Sequence, residues 1–187
     1  MEDPDLQVFS LYGLSASLLV LGQHEKAAQL ARECLAISQS VGHAWGISSA
    51  HRVLGLADQR FAQVARTHLE QSLVWSRQLG YAQGVVYALT ALGKLALGEG
   101  DARAARAHLT DSLKLANELG DRLEMLHCLE EIAQTQRVER GVQVAGAAAA
   151  LRDALGARPV PHEHDRLTDW SERARHSLGE KVFAEYW

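Results

Sequence analysis

The chain has few of the residues that interrupt helices. Its 187 positions contain three prolines, Pro4, Pro159 and Pro161. From residue 5 to residue 158 every peptide group therefore keeps its N–H, and no pyrrolidine ring clashes with a preceding turn, which points to an all-helical body. There are two cysteines, Cys34 and Cys128, 94 positions apart in apolar helical settings. That spacing and number exclude a disulfide framework and lead to the expectation of a reduced, cytoplasmic environment. Positive charge is not in excess: the formal net charge is −4, so a broad basic face for nucleic acid is not expected. No apolar run approaches the roughly 18 residues of a membrane span. The alanine-rich stretch from Val144 to Leu151 is short and is followed by Arg152 and Asp153. The opening residues MEDPDLQVFS lack a basic segment followed by an apolar one, so no signal peptide is expected there. What is present is a globular balance of 47% apolar and 22% charged residues, enough for folding to bury roughly 70% of the unfolded surface.

The strongest pattern is internal repetition. The segments LGQHEKAAQLARECLAISQSVG, RFAQVARTHLEQSLVWSRQLG and LGEGDARAARAHLTDSLKLANELG end at Gly42, Gly80 and Gly120, spaced by 38 and 40 residues. Leu35, Leu73 and Leu113 keep the same offsets, as do Ala27, Ala65 and Ala105. A fourth copy lies 40 residues further on, with Ala145 in the small-residue slot and Leu155 matching Leu115.

Each copy reads as two helices. In the third, Ala88, Leu89, Leu92, Leu95 and Ala96 recur at helical spacing, and Gly98-Glu99-Gly100 breaks the run. Asp101 is placed to cap the second helix through its side-chain oxygen. Gly120 is placed to end it in the left-handed conformation, with Asp121 capping the next. Gly93 and Ala105 are 12 apart, as are Ser15 and Ala27, and Ala133 and Ala145; Gly55 and Ala65 are 10 apart. A small side chain on each member of a hairpin lets the two helices approach closely, and stacking of neighbours supplies the surface that one hairpin cannot bury alone. The spacing predicts helices over 5–21, 24–41, 45–59, 61–79, 82–98, 101–119, 122–137, 141–155, 163–177 and 179–186.

Leu92, Gly93, Ala96, Ala105 and Leu109 resemble the leucine-glycine, alanine and bulky-residue pattern of tetratricopeptide repeats. Leu89 stands where that family has tryptophan and Asn117 where it has its closing proline, and the unit exceeds the family's usual length of about 34 residues. The longer variant with extended second helices occurs in large bacterial signalling regulators. Ala145-Gly146-Ala147, Leu151-Arg152-x-Ala154-Leu155-Gly156-Ala157, Pro159-x-Pro161 and Leu178-Gly179-x-x-x-Phe183-x-x-x-Trp187 resemble the C-terminal end of such regulators. Those proteins carry a signal-transduction P-loop ATPase module, often with LuxR-type DNA-binding or cyclase domains. This chain contains no G-x-x-x-x-G-K-[ST] and no basic recognition helix, so the resemblance implies a piece of a regulator without those parts. The fold it implies is all-α: a right-handed α-α superhelix of four hairpins, about 5–42, 43–80, 81–120 and 121–157, within residues 1–157, closed by capping helices in 158–187.

Chemical motifs are weak. Gly13-Leu14-Ser15-Ala16-Ser17 lacks the final glycine of a nucleophile elbow and sits inside a helix, where Ser15 fills the packing slot. Gly98-Glu99-Gly100 follows a helix instead of a strand and reads as a turn. His162-Glu163-His164-Asp165 offers four metal-ligand types in one short segment, whereas metal sites draw ligands from separated elements; a helix-entry segment is the simpler reading. His68 and His108 share a repeat position. Cys34 and Cys128 read as small buried residues. No nucleophile, base and orienter come together, so catalysis, a metal and a cofactor are not expected.

In stacked two-helix repeats the first helices line the concave face. That projection gives Phe9 and Tyr12, then Ser49, Arg52 and Leu56, then Tyr87, Thr90 and Lys94, then His127, Glu130, Gln134 and Arg137. Arg52, Lys94 and Arg137, with Tyr12 and Tyr87, are suited to an acidic or C-terminal peptide through charge-assisted hydrogen bonds and aromatic contact. A solvated face is the plain alternative. The ends of the stack are a second candidate surface: Leu167, Trp170, Leu178, Phe183 and Trp187 are expected to cover one end, while Phe9, Leu11, Leu14 and Leu18 are placed to meet another domain or a second copy. The expected function is non-catalytic binding of a protein or peptide partner, or of a second copy of the chain, within a bacterial transcriptional regulator. A free-standing self-associating adaptor, a small-molecule sensor and, last, an enzyme are the alternatives.

Overall fold

The computed structural model describes residues 3–58, 60–158 and 161–187. Among them are ten α-helices and no strand: α1 (Pro4–Val20), α2 (His24–Val41), α3 (Ala44–Ala57), α4 (Ala62–Gln78), α5 (Ala82–Gly98), α6 (Ala102–Leu119), α7 (Arg122–Ala133), α8 (Val138–Leu155), α9 (Pro161–Leu178) and α10 (Glu180–Tyr186). Each of the first eight packs against its sequence neighbours, and α1, α3, α5 and α7 also meet one another in succession.

The local signals act as the sequence predicts. Asp101 accepts from the Ala104 N–H at 2.9 Å and Asp121 from the Glu124 N–H at 3.0 Å, each satisfying an amide left without a partner at a helix start. Gly42 and Gly120 both end their helices at φ 71°, a conformation open to glycine without steric cost.

Burial explains why the two kinds of helix differ in composition. The second helices α2, α4 and α6 bury one stripe each, at Ala27, Ala31, Cys34 and Ser38, at Ala65, Leu69, Ser72 and Ser76, and at Ala105, Leu109, Ser112 and Ala116. These sets are the same four positions in three registers, and the remaining faces are free to be charged. Helix α5, by contrast, lies against α3, α4, α6 and α7 and buries residues all round, from Gly84 through Ala96.

The small-residue slots bring backbones together. A Cβ on Gly93 would lie 2.5 Å from Leu109 Cγ, and one on Gly55 would lie 2.6 Å from Leu69 Cγ and 3.0 Å from the Ala65 carbonyl. The 12- and 10-residue spacings therefore reach the same contact. In the first and fourth copies Ser15, Ala27, Ala133 and Ala145 are all buried.

The fourth hairpin departs from the predicted boundaries. Helix α7 stops at Ala133 instead of residue 137, and α8 starts at Val138 instead of 141. Tight backbone bonds from Gln134, Thr135 and Gln136 to Glu131, Ile132 and Ala133 close the last turn, and the Thr135 hydroxyl donates to the Ile132 carbonyl at 2.8 Å. Gly141 lies inside α8 for a packing reason: a Cβ there would meet the Ala133 carbonyl at 2.6 Å and the Trp170 ring at 2.7 Å.

Helices α9 and α10 pack on α8. Val142, Ala174 and Phe183 form a cluster with Val138, Trp170 and Leu178 against it, while Leu167 is partly buried. Trp187 is half exposed and stacks on Phe183 at 5.4 Å, and Gly146 leaves room for its backbone. At the other end, α1 exposes Leu6 (65%), Leu14 (57%) and Val20 (71%), and its C-cap Leu21 is exposed too (68%). The first-helix offset of 40, from Ser15 to Gly55, places Leu6 and Leu14 at the positions of Gly46 and Leu54, which α3 buries.

Candidate functional site

The first helices carry a row of aromatic rings that ends on a guanidinium. Phe9 packs on Trp45 with ring centroids 4.7 Å apart, and Trp45 meets Tyr12 edge-on at 5.0 Å. His43 lies edge-on to Phe9 at 5.6 Å. Arg52 donates to the Tyr12 hydroxyl at 2.6 Å, and its guanidinium lies 5.2 Å from the Tyr87 centroid and 5.8 Å from that of Tyr12. The row runs from α1 through α3 to α5. Phe9 is 51% exposed, and Tyr12, Trp45, Arg52 and Tyr87 are partly buried. Burial is the main influence on the Tyr87 phenol and pushes its pKa up, so it remains a donor at neutral pH.

Arg52 makes no ion pair among the described residues. Two tyrosines fix the orientation of its fork, which lowers the ordering cost of meeting a carboxylate. Each ring contributes about 0.5–2 kcal/mol of cation–π attraction, depending on how dry the site is.

Toward α7 the face turns acidic and internally paired. Gln83 donates to Asp121, and Thr90 bonds the Ser112 hydroxyl at 2.8 Å and Glu124 at 3.4 Å. His127 lies 3.3 Å from Glu124. Lys94 lies 3.9 Å from buried Glu131, which Arg166 of α9 also engages. Buried Glu130 accepts from Arg152 Nε at 3.1 Å.

The projected groove residues are thus distributed unevenly. Phe9, Tyr12, Arg52 and Tyr87 come together. Ser49, Thr90 and Glu130 are buried. Leu56 and Gln134 are partly buried, the first against the α4–α5 core and the second bonded to Glu131 at 3.2 Å. Lys94 faces Glu131, and His127 faces Glu124. Arg137 precedes α8 and lines a recess with Arg106 of α6. The side chains of His162, Glu163, His164 and Asp165 lie outside the described residues. Trp45 was not in the projected set. Its signal is positional: it follows the Gly42 helix stop by three residues and opens α3 beside Phe9 and Tyr12.

A second cluster was also not anticipated. His51 of α3 and His68 of α4 place their Nδ1 atoms 2.9 Å apart, so one ring donates and the other accepts. Desolvation, then the His68 charge, pushes the His51 pKa down from 6.5 to about 4. Desolvation also lowers that of His68, against the opposing pull of Asp58. The repeat register carries the signal: positions equivalent to His51 hold Leu11, Leu89 and Leu129, and those equivalent to His68 hold Leu30, His108 and Ala148.

The other motifs have structural placements. The Ser15 hydroxyl donates to the Tyr12 carbonyl at 2.8 Å. Gly98 ends α5, and Glu99 and Gly100 form the turn to α6. Cys34 and Cys128 are buried and free, and burial raises the pKa of both thiols. Among the described residues no helix is long and apolar enough to cross a membrane, and no three metal-ligating side chains converge.

No protein-family model matches the chain, and no curated protein matches it significantly.

Proposed function

We propose that the chain is a non-catalytic binding scaffold of the tetratricopeptide kind, a right-handed superhelix of four hairpins with a helical cap, serving as the interaction or sensor segment of a bacterial transcriptional regulator in the cytoplasm. The observation that carries the reading is the Phe9–Trp45–Tyr12–Arg52–Tyr87 row. It crosses three successive hairpins, exposes aromatic surface and presents a guanidinium with no ion pair among the described residues. Its partner is a protein segment carrying a carboxylate, an acidic side chain or a chain terminus, held by Arg52 and stacked along the rings.

The packing supports this architecture: helices meet their neighbours and the odd-numbered helices meet in series, as stacked repeats require. The test is a peptide-array screen for acidic and C-terminal sequences, followed by titration of the best binder. Arg52→Ala is expected to weaken binding by about tenfold or more, one charge-assisted hydrogen-bond set, with helical circular dichroism unchanged. Equal affinity in the variant overturns the assignment.

A second reading, self-association, is favoured by the apolar surface of α1 at Leu6, Leu14 and Val20, continued by its C-cap Leu21. Sedimentation equilibrium separates the two: a mass that rises with concentration and falls back to the monomer in Leu14→Lys supports the contact between copies.

A further inference from the structure

Two of the inter-hairpin boundaries are closed by the same electrostatic device. Arg32 of α2 lies 3.8 Å from Asp58 in the α3–α4 turn, and Arg66 of α4 pairs with Glu99 in the α5–α6 turn. In each case an arginine on a second helix meets a carboxylate in the next hairpin's turn. The third boundary reverses the sign. Arg106 of α6 stands 40 residues after Arg66, and the turn it faces reads Gln134-Thr135-Gln136-Arg137. It offers no carboxylate and adds a cation.

Arg106, Arg137 and Arg140 line one recess of about 470 Å³ together with Thr135 and Gln136. None of the three arginines has an ion pair among the described residues. Glu139 lies in the first turn of α8 but does not line the recess. In a chain whose net charge is −4, three guanidiniums around one concavity without a lining carboxylate are a local excess of positive charge that an anion would neutralise. Helix α8 begins at the same place with no side-chain cap, so its first amides add to the field without carrying the argument.

We propose that this recess binds a phosphate group, either free inorganic phosphate or the phosphoryl end of a small molecule. The planar forks of arginine match phosphate oxygens in pairs, and a dianion uses several guanidiniums where a single carboxylate uses one. The volume suits a small ligand. This site is separate from the aromatic row and does not depend on the function proposed for it.

The test is isothermal titration of the full chain at fixed ionic strength with inorganic phosphate, phenyl phosphate and sodium acetate. Saturable binding of phosphate or phenyl phosphate, at least about tenfold tighter than acetate, is expected. Binding of both phosphates points to the free ion as sufficient, and binding of phenyl phosphate alone points to a phosphorylated molecule; either supports the site. The double variant R106Q/R140Q is expected to weaken binding by about tenfold or more, while R103Q, an exposed arginine of α6 outside the recess, leaves it unchanged. All three side chains replaced belong to exposed residues, and unchanged circular dichroism verifies folding. Acetate binding as tight as phosphate, no saturation, an unaffected double variant, or equal weakening in R103Q each overturns the proposal.

Discussion

Two glycines in helix interiors give the packing argument a test of sign. Replacing glycine by alanine in a helix gains about 0.5–1 kcal/mol, because the unfolded chain loses freedom and the helix gains propensity. Gly13 in α1 has nothing within 4 Å of a new Cβ, so Gly13→Ala keeps that gain. At Gly93 in α5 the same Cβ would sit 2.5 Å from Leu109 Cγ and 2.8 Å from Leu109 Cδ2. Ordinary carbon contacts lie at about 3.5–4.0 Å, so α5 and α6 must separate by about 1 Å. Leu109 is fully buried, in an interior that packs densely. Overpacking of this kind costs about 1–3 kcal/mol. Net of propensity, Gly93→Ala is expected to destabilise by about 0.5–2 kcal/mol. Urea denaturation followed by circular dichroism measures both variants. Introduced into a Leu109→Ala background, Gly93→Ala loses its obstacle and is expected to become neutral or stabilising, a direct coupling between the two positions. If Gly93→Ala raises the urea midpoint as much as Gly13→Ala does, the small residues are not there for helix approach and the hairpin argument fails.

Two further predictions follow from the polar clusters. His51 and His68 both have pKa values below 6.5 in the folded chain, that of His51 about 4, so the unfolded chain binds more protons between about pH 4 and 6.5. Their contribution is therefore complete above pH 6.5 and is lost as pH falls through that window. The double variant His51→Leu/His68→Leu, which copies Leu11 and Leu30 of the first hairpin, is expected to flatten stability against pH there; an unaltered slope in urea melts refutes the pairing. Glu131→Ala removes the buried carboxylate that Lys94 and Arg166 both approach and is expected to cost about 3–5 kcal/mol. The loss should appear as faster amide exchange in α9, and unchanged exchange there counts against the bridge.

The backbone plan was legible because its determinants are local. Scarce proline, aspartate caps, glycine stops and a helical apolar period act within a few residues of themselves. The recurrence of Gly55, Gly93 and Ala133 against Ala65, Ala105 and Ala145 reports contacts between adjacent helices, which a repeat prints directly into the chain. The α7–α8 boundary differs from the predicted one because the bonds that close α7 at Gln134, Thr135 and Gln136 and the close approach of Gly141 to Ala133 and Trp170 exist only in three dimensions. Of the residues projected onto the first-helix face, Phe9, Tyr12, Arg52 and Tyr87 do assemble, whereas Ser49 and Thr90 at equivalent repeat positions are buried, so register selects the face but not which side chains reach its surface.

What the sequence by itself determined is the helical content, the hairpin periodicity and the side of each second helix that turns inward. The tertiary structure alone decided which cations are engaged: Lys94 faces Glu131, Arg52 is clasped by two tyrosines, and Arg106, Arg137 and Arg140 share a recess. The reason is that partnership between charged side chains depends on distances of a few ångströms between separate helices. A two-residue change in turn length, such as that between the second and third copies, shifts the register in sequence while the helices restore it in space.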